Sequence, residues 1–262
     1  FRTSVGHRAD PVSGELTPEC LNFRSMGPGG SRLALTPREL LNFAHLHVDG
    51  GGDVLAAHRV AEMQTQQVAL PFSERIRGWG LGWMLFHWSG RNVIGHDGGT
   101  AGMLTQLRVL PDDGVTVALM SNGPAGGAVF RAVVGPLLAE LGKVKIPETP
   151  AADAASDLDL SQYTGTYRRF GMQFVLEPGS GGLIATVSSR DGEDDFPQPV
   201  RVELRPASRH SFLAILPGGL PPMEIGFDDF DGLGRPAYLY ALERAHGRLG
   251  GDAASNESQP AA

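Results

Sequence analysis

The hydrophobic pattern changes period near the middle of the chain. In the first half, Leu40, Leu41, Phe43, Ala44 and His47 recur at mainly helical spacing. Thr36-Pro37-Arg38-Glu39 opens that run with an N-cap, a proline at the first helical position and a glutamate that completes a capping box. Gly50-Gly51-Gly52 stops it. A second helix is expected from about Val54 to Gln67. Strands are expected over Gly82 to Trp88, Asn92 to Gly95 and Leu104 to Leu110. Pro111-Asp112-Asp113-Gly114 reads as a tight turn, so Val115 to Met120 is expected to pair back on the strand before it. The apolar run Ala125 to Leu141 predicts a helix, with Pro136 as a kink or stop. Beyond residue 160 the period falls to two: Met172, Phe174 and Leu176 alternate, as do Val200, Val202 and Leu204, and three further sets centred on Ala214, Ile225 and Tyr240. Short alternating strands parted by Gly and Pro predict a small antiparallel barrel or sandwich.

These periods divide the chain into residues 1–142, a Pro-, Ala- and Asp-rich linker at 143–159, a β-domain at 160–249 and a polar tail at 250–262, expected to be disordered. Residues 1–31 are rich in Gly and Pro and show neither helical nor strand periodicity. A loop of that length is usually functional or belongs with a neighbouring segment.

The chain has 262 residues, 41% of them hydrophobic, which suffices for a packed core. The net charge of -7 is mild. No basic cluster suits nucleic acid, so that class of partner is set aside. Cys20 is the single cysteine, which excludes an internal disulfide. No apolar run is long enough for a membrane span. Phe1 is not an initiator methionine and no signal peptide follows it, so processing or truncation ahead of it is expected.

The most informative stretch is Gly95-His96-Asp97-Gly98-Gly99-Thr100-Ala101-Gly102, in which four glycines crowd one histidine and one aspartate. Glycine lets a backbone come close to another molecule, so the run reads as one wall of a site. His96 alone has a plainer reading, a satisfied strand histidine. Trp79, Trp83 and Trp88 read either as a substrate wall or as core and rim packing. His45 and His47 lie two apart and share no helical face, so neither a metal site nor any cofactor is expected.

Three local matches, in order, resemble the C-terminal part of the penicillin-recognising serine hydrolases: class C β-lactamases, D-alanyl-D-alanine carboxypeptidases and β-lactamase-like esterases. Gly27-Pro28-Gly29-Gly30 with the helix opening Leu35-Thr36-Pro37-Arg38-Glu39 resembles the family's glycine turn and following helix. Gly80-Leu81-Gly82-Trp83 resembles the entry to its first C-terminal strand. Residues 95–102 resemble its third catalytic motif, with His96 in place of lysine. Tyr163-Thr164-Gly165-Thr166-Tyr167 resembles the opening of the lipocalin-like barrel that often follows such domains. The implied fold class is α+β: the later part of a β-lactamase-like fold, an antiparallel sheet with flanking helices, followed by a small antiparallel β-barrel.

The resemblance implies acyl transfer through a serine ester, which needs an activated hydroxyl, a base and donors for the oxyanion. Carried over residue by residue, it makes the N–H of Gly99 an oxyanion donor, a group worth about 3 kcal/mol in the transition state. Gly98 is then small to admit substrate, and His96 faces the site. Asp97 and Thr100 are the candidate substrate contacts; the alternatives are that Asp97 points away or caps a local N–H and that Thr100 shapes the turn. The family's Ser-x-x-Lys nucleophile is absent: the only lysines, Lys143 and Lys145, follow Glu140 and Gly142 at that spacing. No Tyr-x-Asn or Ser-x-Asn is present either, nor a Gly-x-Ser-x-Gly elbow. The expected partner is therefore an upstream polypeptide carrying Ser-x-x-Lys and Tyr-x-Asn, made with this chain or beside it. The expected substrate is a small molecule or peptide with an amide or ester carbonyl. Two other classes stay open at this stage: a binding module or pseudoenzyme of the same fold, and a ligand-carrying barrel on a scaffold.

Overall fold

A computed structural model describes residues 4–9, 15–18, 33–100, 102–152, 157–189, 198–216, 222–242 and 244–250. Cys20, the Gly27–Gly30 turn, Ala101 and the tail beyond Gly250 lie outside the described residues. The chain separates into two compact units: Phe1–Leu70 with Glu74–Glu148, and Thr149–Ala262 with the short segment Pro71–Ser73.

The first unit begins with two short paired strands, β1 (His7–Ala9) and β2 (Leu16–Pro18). At three residues each, they carry too few positions to show a period. Helix α1 (Pro37–Val48) has its full capping box: Thr36 Oγ1 accepts from the Glu39 N–H at 3.3 Å, and the Thr36 N–H donates to Glu39 Oε2 at 2.7 Å. Helix α2 (Ala57–Met63) is shorter at both ends than its apolar pattern suggests; at its N-terminus no side chain caps it. An antiparallel sheet of six strands follows in sequence order: β3 (Val68–Ala69), β4 (Gly78–Trp79), β5 (Met84–Trp88), β6 (Arg91–Thr100), β7 (Met103–Leu110) and β8 (Val115–Ser121). The β7–β8 connection is the expected turn, closed by Gly114 in the left-handed region at φ 64°.

One face of the sheet packs under α1, where Ala44 meets Leu85, Ile94, Leu107 and Val109. A helical segment after β8 buries Phe130, Val134 and Leu138. It is continuous from Gly126 to Leu141 but changes register: α3 (Gly126–Val129), a π turn over Phe130–Val134, then α4 (Gly135–Leu141). Pro136 lies at the start of α4, and the π turn ahead of it closes with the Gly135 N–H on the Phe130 carbonyl. The expected kink is thus absorbed as a π-bulge.

The second unit is a closed antiparallel barrel of eight strands: β9 (Gly165–Arg169), β10 (Met172–Pro178), β11 (Leu183–Ser189), β12 (Val200–Pro206), β13 (Ser211–Ile215), β14 (Met223–Phe230), β15 (Pro236–Ala241) and β16 (Arg244–Arg248), the last pairing with β9. Alternation sends Phe174, Leu176, Phe212 and Phe227 inward, where they are buried. Tyr167, also inward, donates its hydroxyl to the Tyr163 carbonyl at 2.9 Å, and burial pushes that phenol up to about 12. Strands β9, β11 and β16 escape the alternating sets read from the sequence: β11 carries Ile184 and Thr186 on its outer face, and β16 has only His246 as a bulky inward residue. On β15 the set Tyr238, Tyr240 and Leu242 faces outward, and Leu239 and Ala241 are the buried residues.

His246 is fully buried, edge-on to Phe174 at 4.8 Å, with Nδ1 near the carbonyls of Leu239 and Arg244. Burial first, and the nearby Arg169 charge second, lower its pKa to about 4. The folded chain therefore holds this imidazole neutral while the unfolded chain takes up a proton from about pH 6.5 downward. Stability from this site is complete above pH 6.5 and is lost as pH falls toward 4, by on the order of 3 kcal/mol. Urea midpoints measured at pH 7 and pH 4.5 are expected to fall in the native chain and to differ less in His246→Leu.

Candidate active site

Ser89 and Gly90, between β5 and β6, have φ of 52° and 77°. Two left-handed residues make a type I′ turn, which leaves Trp88 and Arg91 as the hydrogen-bonded closing pair. By alternation, the odd-numbered residues of β6 then direct their N–H and C=O groups toward β5, and the even-numbered ones toward β7. Pairing with β5 ends at Met84 opposite Gly95, whereas pairing with β7 continues to Thr100 opposite Met103. The backbone groups of Asp97 and Gly99 therefore point past the end of β5. Among the described residues, no strand pairs with them on that side. The sequence reading ended this strand at Gly95, since glycine is a poor strand former. The β7 ladder carries it five residues further, to Thr100.

His96 secures part of this edge. Its Nδ1 lies 2.6 Å from the Asp97 carbonyl oxygen. A carbonyl only accepts, so Nδ1 carries the proton, and Nε2 is the ring atom left for another partner. The ring is exposed and sits edge-on to Trp79 at 5.4 Å. Gly98 and Thr100 share the His96 face by alternation. A Cβ at Gly98 would meet nothing within 4 Å, and one at Gly99 only ordinary contacts at 3.8 and 3.9 Å, with φ outside the left-handed region at both. Neither the backbone nor the packing of this chain requires glycine at 98 or 99.

The opposite face differs. Asp97 points there and is held bidentately by Arg108, with Nη1 to Oδ1 at 2.6 Å and Nη2 to Oδ2 at 3.1 Å. The Arg108 side chain is 4% exposed. Its guanidinium lies 4.4 Å from the Phe86 ring centre, 5.1 Å from that of Phe130 and 5.7 Å from that of Trp88. Gly95 makes this possible: a Cβ there would collide with the Leu107 carbonyl oxygen and press on Arg108 Cδ at 3.0 Å. The carboxylate expected from the sequence to meet substrate is thus engaged across the sheet from His96, as the two-residue period of a strand dictates. Arg108 escaped the sequence reading. Its signal was a lone charge inside the apolar run Leu107-Arg108-Val109-Leu110.

Of the other candidates, Trp83 and Trp88 are core residues, while Trp79 is half-buried beside His96. His47 is buried edge-on to Trp83 at 4.8 Å, and burial lowers its pKa. Among the described residues, no group of three or more His, Cys, Asp or Glu is placed to hold a metal ion. None of the described helices is long and apolar enough to cross a membrane.

The Beta-lactamase family profile matches residues 2–137, and the chain belongs to that family. Penicillin-binding protein 4 of Amycolatopsis lactamdurans is 37% identical over 156 residues, covering 56% of this chain and 41% of that protein. Among solved structures, SurE aligns over 94% of this chain and 55% of its own, with a TM-score of 0.64 at 23% identity. SurE with D-Leu aligns over 81% and 49%, with a TM-score of 0.59 at 26% identity. The chain thus spans about half the length, or less, of these relatives. The likeness to SurE bears out the fold class, the later part of a β-lactamase-like domain followed by a small barrel.

The two kinds of glycine in the motif separate experimentally. Gly95→Ala is expected to destabilise the first unit by about 1–3 kcal/mol through overpacking. Gly98→Ala is expected to stay within about 0.5 kcal/mol of the native chain. Urea denaturation followed by tryptophan fluorescence measures both.

Proposed function

We propose that this chain supplies one wall of a serine acyl-transfer site acting on an amide, ester or peptide carbonyl. The observation that carries the reading is the Gly99 N–H, directed past the end of β5 beside open space at Gly98. A backbone donor fixed in a strand, with room in front of it, suits the negative oxygen that develops when a carbonyl is attacked, because it needs no reorganisation as the charge appears. His96, with Nδ1 fixed on the Asp97 carbonyl, presents Nε2 to the same space. It hydrogen-bonds the substrate or the attacking hydroxyl network there and does the work that lysine does in the commoner form of the motif. Thr100 lines the wall on the same face.

The nucleophile comes from a segment outside these 262 residues, which contain no Ser-x-x-Lys. That segment, carrying Ser-x-x-Lys and Tyr-x-Asn, is the proposed partner. Attack by its serine forms an acyl-serine, and water or an amine then releases the acyl group, so hydrolysis and transfer differ only in the second attacking group. Similarity to a penicillin-binding protein and to a SurE structure holding D-Leu supports a peptide with a D-configured residue as the first substrate to test.

The test uses the complete protein, this chain together with its upstream segment, and a fluorophosphonate or a β-lactam as probe. Label is expected on a serine of the upstream segment. Gly99→Pro removes one N–H and no bond to β7, since the even-numbered residues make those bonds. It is expected to slow labelling by about 10²–10³-fold. His96→Ala is expected to slow it by about 10²–10⁴-fold. Absence of label from the native protein, or labelling indifferent to both changes, rules the proposal out and leaves a binding module.

A further inference from the structure

We propose that Arg108 is a positioning residue for the Gly99 oxyanion donor, an inference that rests on the acyl-transfer reading above. Among the described residues, residues 96–100 of β6 have a strand neighbour on one side only. A strand end held by a single ladder can splay, and a displacement of about 1 Å in a catalytic group is enough to slow a reaction by about 10²-fold. The Asp97–Arg108 pair spans the place where the second ladder stops. Arg108 stands opposite Gly95, the last residue paired with β5, and Asp97 is the first residue beyond it whose side chain lies on that face. The two parallel bonds of the fork fix the carboxylate in angle as well as in distance. The guanidinium is in turn fixed by Phe86 and Phe130 and by its own bond to the Leu107 carbonyl at 2.7 Å.

The pair also has an electrostatic role. Asp97 is two residues from Gly99, about 7 Å along a strand. A bare carboxylate there would oppose the negative charge that the Gly99 N–H is placed to receive, and Arg108 cancels it. Stability alone does not account for the arrangement. Burying a guanidinium carries a desolvation penalty, and Arg108 Nε is buried with no hydrogen-bond partner. Apolar residues of the same volume commonly stabilise such a site as well or better.

That comparison supplies the experiment. Arg108→Lys keeps the charge and loses the fork. The double variant Asp97→Leu/Arg108→Met replaces the pair by apolar residues of similar shape. In the complete protein, both are expected to slow acylation by a β-lactam by about 10-fold or more, with KM for an ester substrate little changed. Affinity for a boronic acid, whose serine adduct places an anionic oxygen at the donor, falls by the same factor. The double variant is expected to retain the native urea midpoint, which separates positioning from stability. In this chain, hydrogen exchange of the β7-bonded amides of His96, Gly98 and Thr100 is expected to speed up in both variants while that of 84–95 is unchanged. Native acylation and boronate affinity in the double variant, or unchanged exchange at 96–100, overturns the inference. If the native protein takes no label, the acyl-transfer reading fails by itself, and the exchange experiment still decides whether the pair holds the strand. If Arg108→Lys does not fold, the double variant carries the test.

Discussion

Strand β6 runs five residues beyond the end of its neighbour β5, and the candidate site follows from that mismatch. Within the doubly paired stretch every backbone group has a ladder partner. Past Gly95 the odd-numbered residues keep their orientation and lose their partner. An unpaired carbonyl and an unpaired N–H have different fates there. The Asp97 carbonyl takes the His96 ring proton, at 2.6 Å, and in doing so fixes the ring and its tautomer. The Gly99 N–H is left for an acceptor outside the ladder. One geometric fact, the length difference of two strands, thus yields both a donor and an oriented imidazole.

The same strand divides the work between its two faces. His96, Gly98 and Thr100 lie on one, open beyond Ile94. Gly95 and Asp97 lie on the other, where Arg108 runs across Gly95 to reach Asp97. Support on that side comes from the helical segment after β8, and the register change in that segment matters to it. The π turn buries Phe130 and Val134, and the Phe130 ring is one of those on which the Arg108 guanidinium rests. Pro136, a breaker when read in sequence, helps to set that register. A residue that looks like a defect in the helix is thereby linked, through Phe130 and Arg108, to the strand that carries the motif.

Local chemistry was legible in the sequence, and alignment of strand ends was not. Thr36 and Glu39 declared the start of α1 because a capping box is contained within four residues. Residues 111–114 declared their turn for the same reason. The inward residues of four barrel strands appeared as alternation because one face of each strand is wet; in β15 the alternating set Tyr238, Tyr240 and Leu242 marks the outer face, and Leu239 and Ala241 point inward. Strand β11, apolar on one face with Ile184 and Thr186 on the other, showed no clean period. The motif 95–102 was recognisable as a wall with His96 facing the site, yet the direction of its backbone groups was not readable, since which residue points toward β5 depends on the turn at Ser89-Gly90 and the end of β5 at Met84. Asp97 was read for its charge. Its pairing with Arg108 required knowing that β6 and β7 are adjacent and that Gly95 leaves the space between them empty.

The two units also differ in what they leave unfinished. The barrel closes β16 on β9 and so presents no free strand edge. The sheet of the first unit is open, bounded by the two-residue β3 and the seven-residue β8. All seven residues of β8 are half-exposed, and among the described residues no strand pairs with its outer side. A long open edge either is covered or invites association. Of the two edges, β8 is the longer. The family match, over residues 2–137, falls on the unit with the open edge.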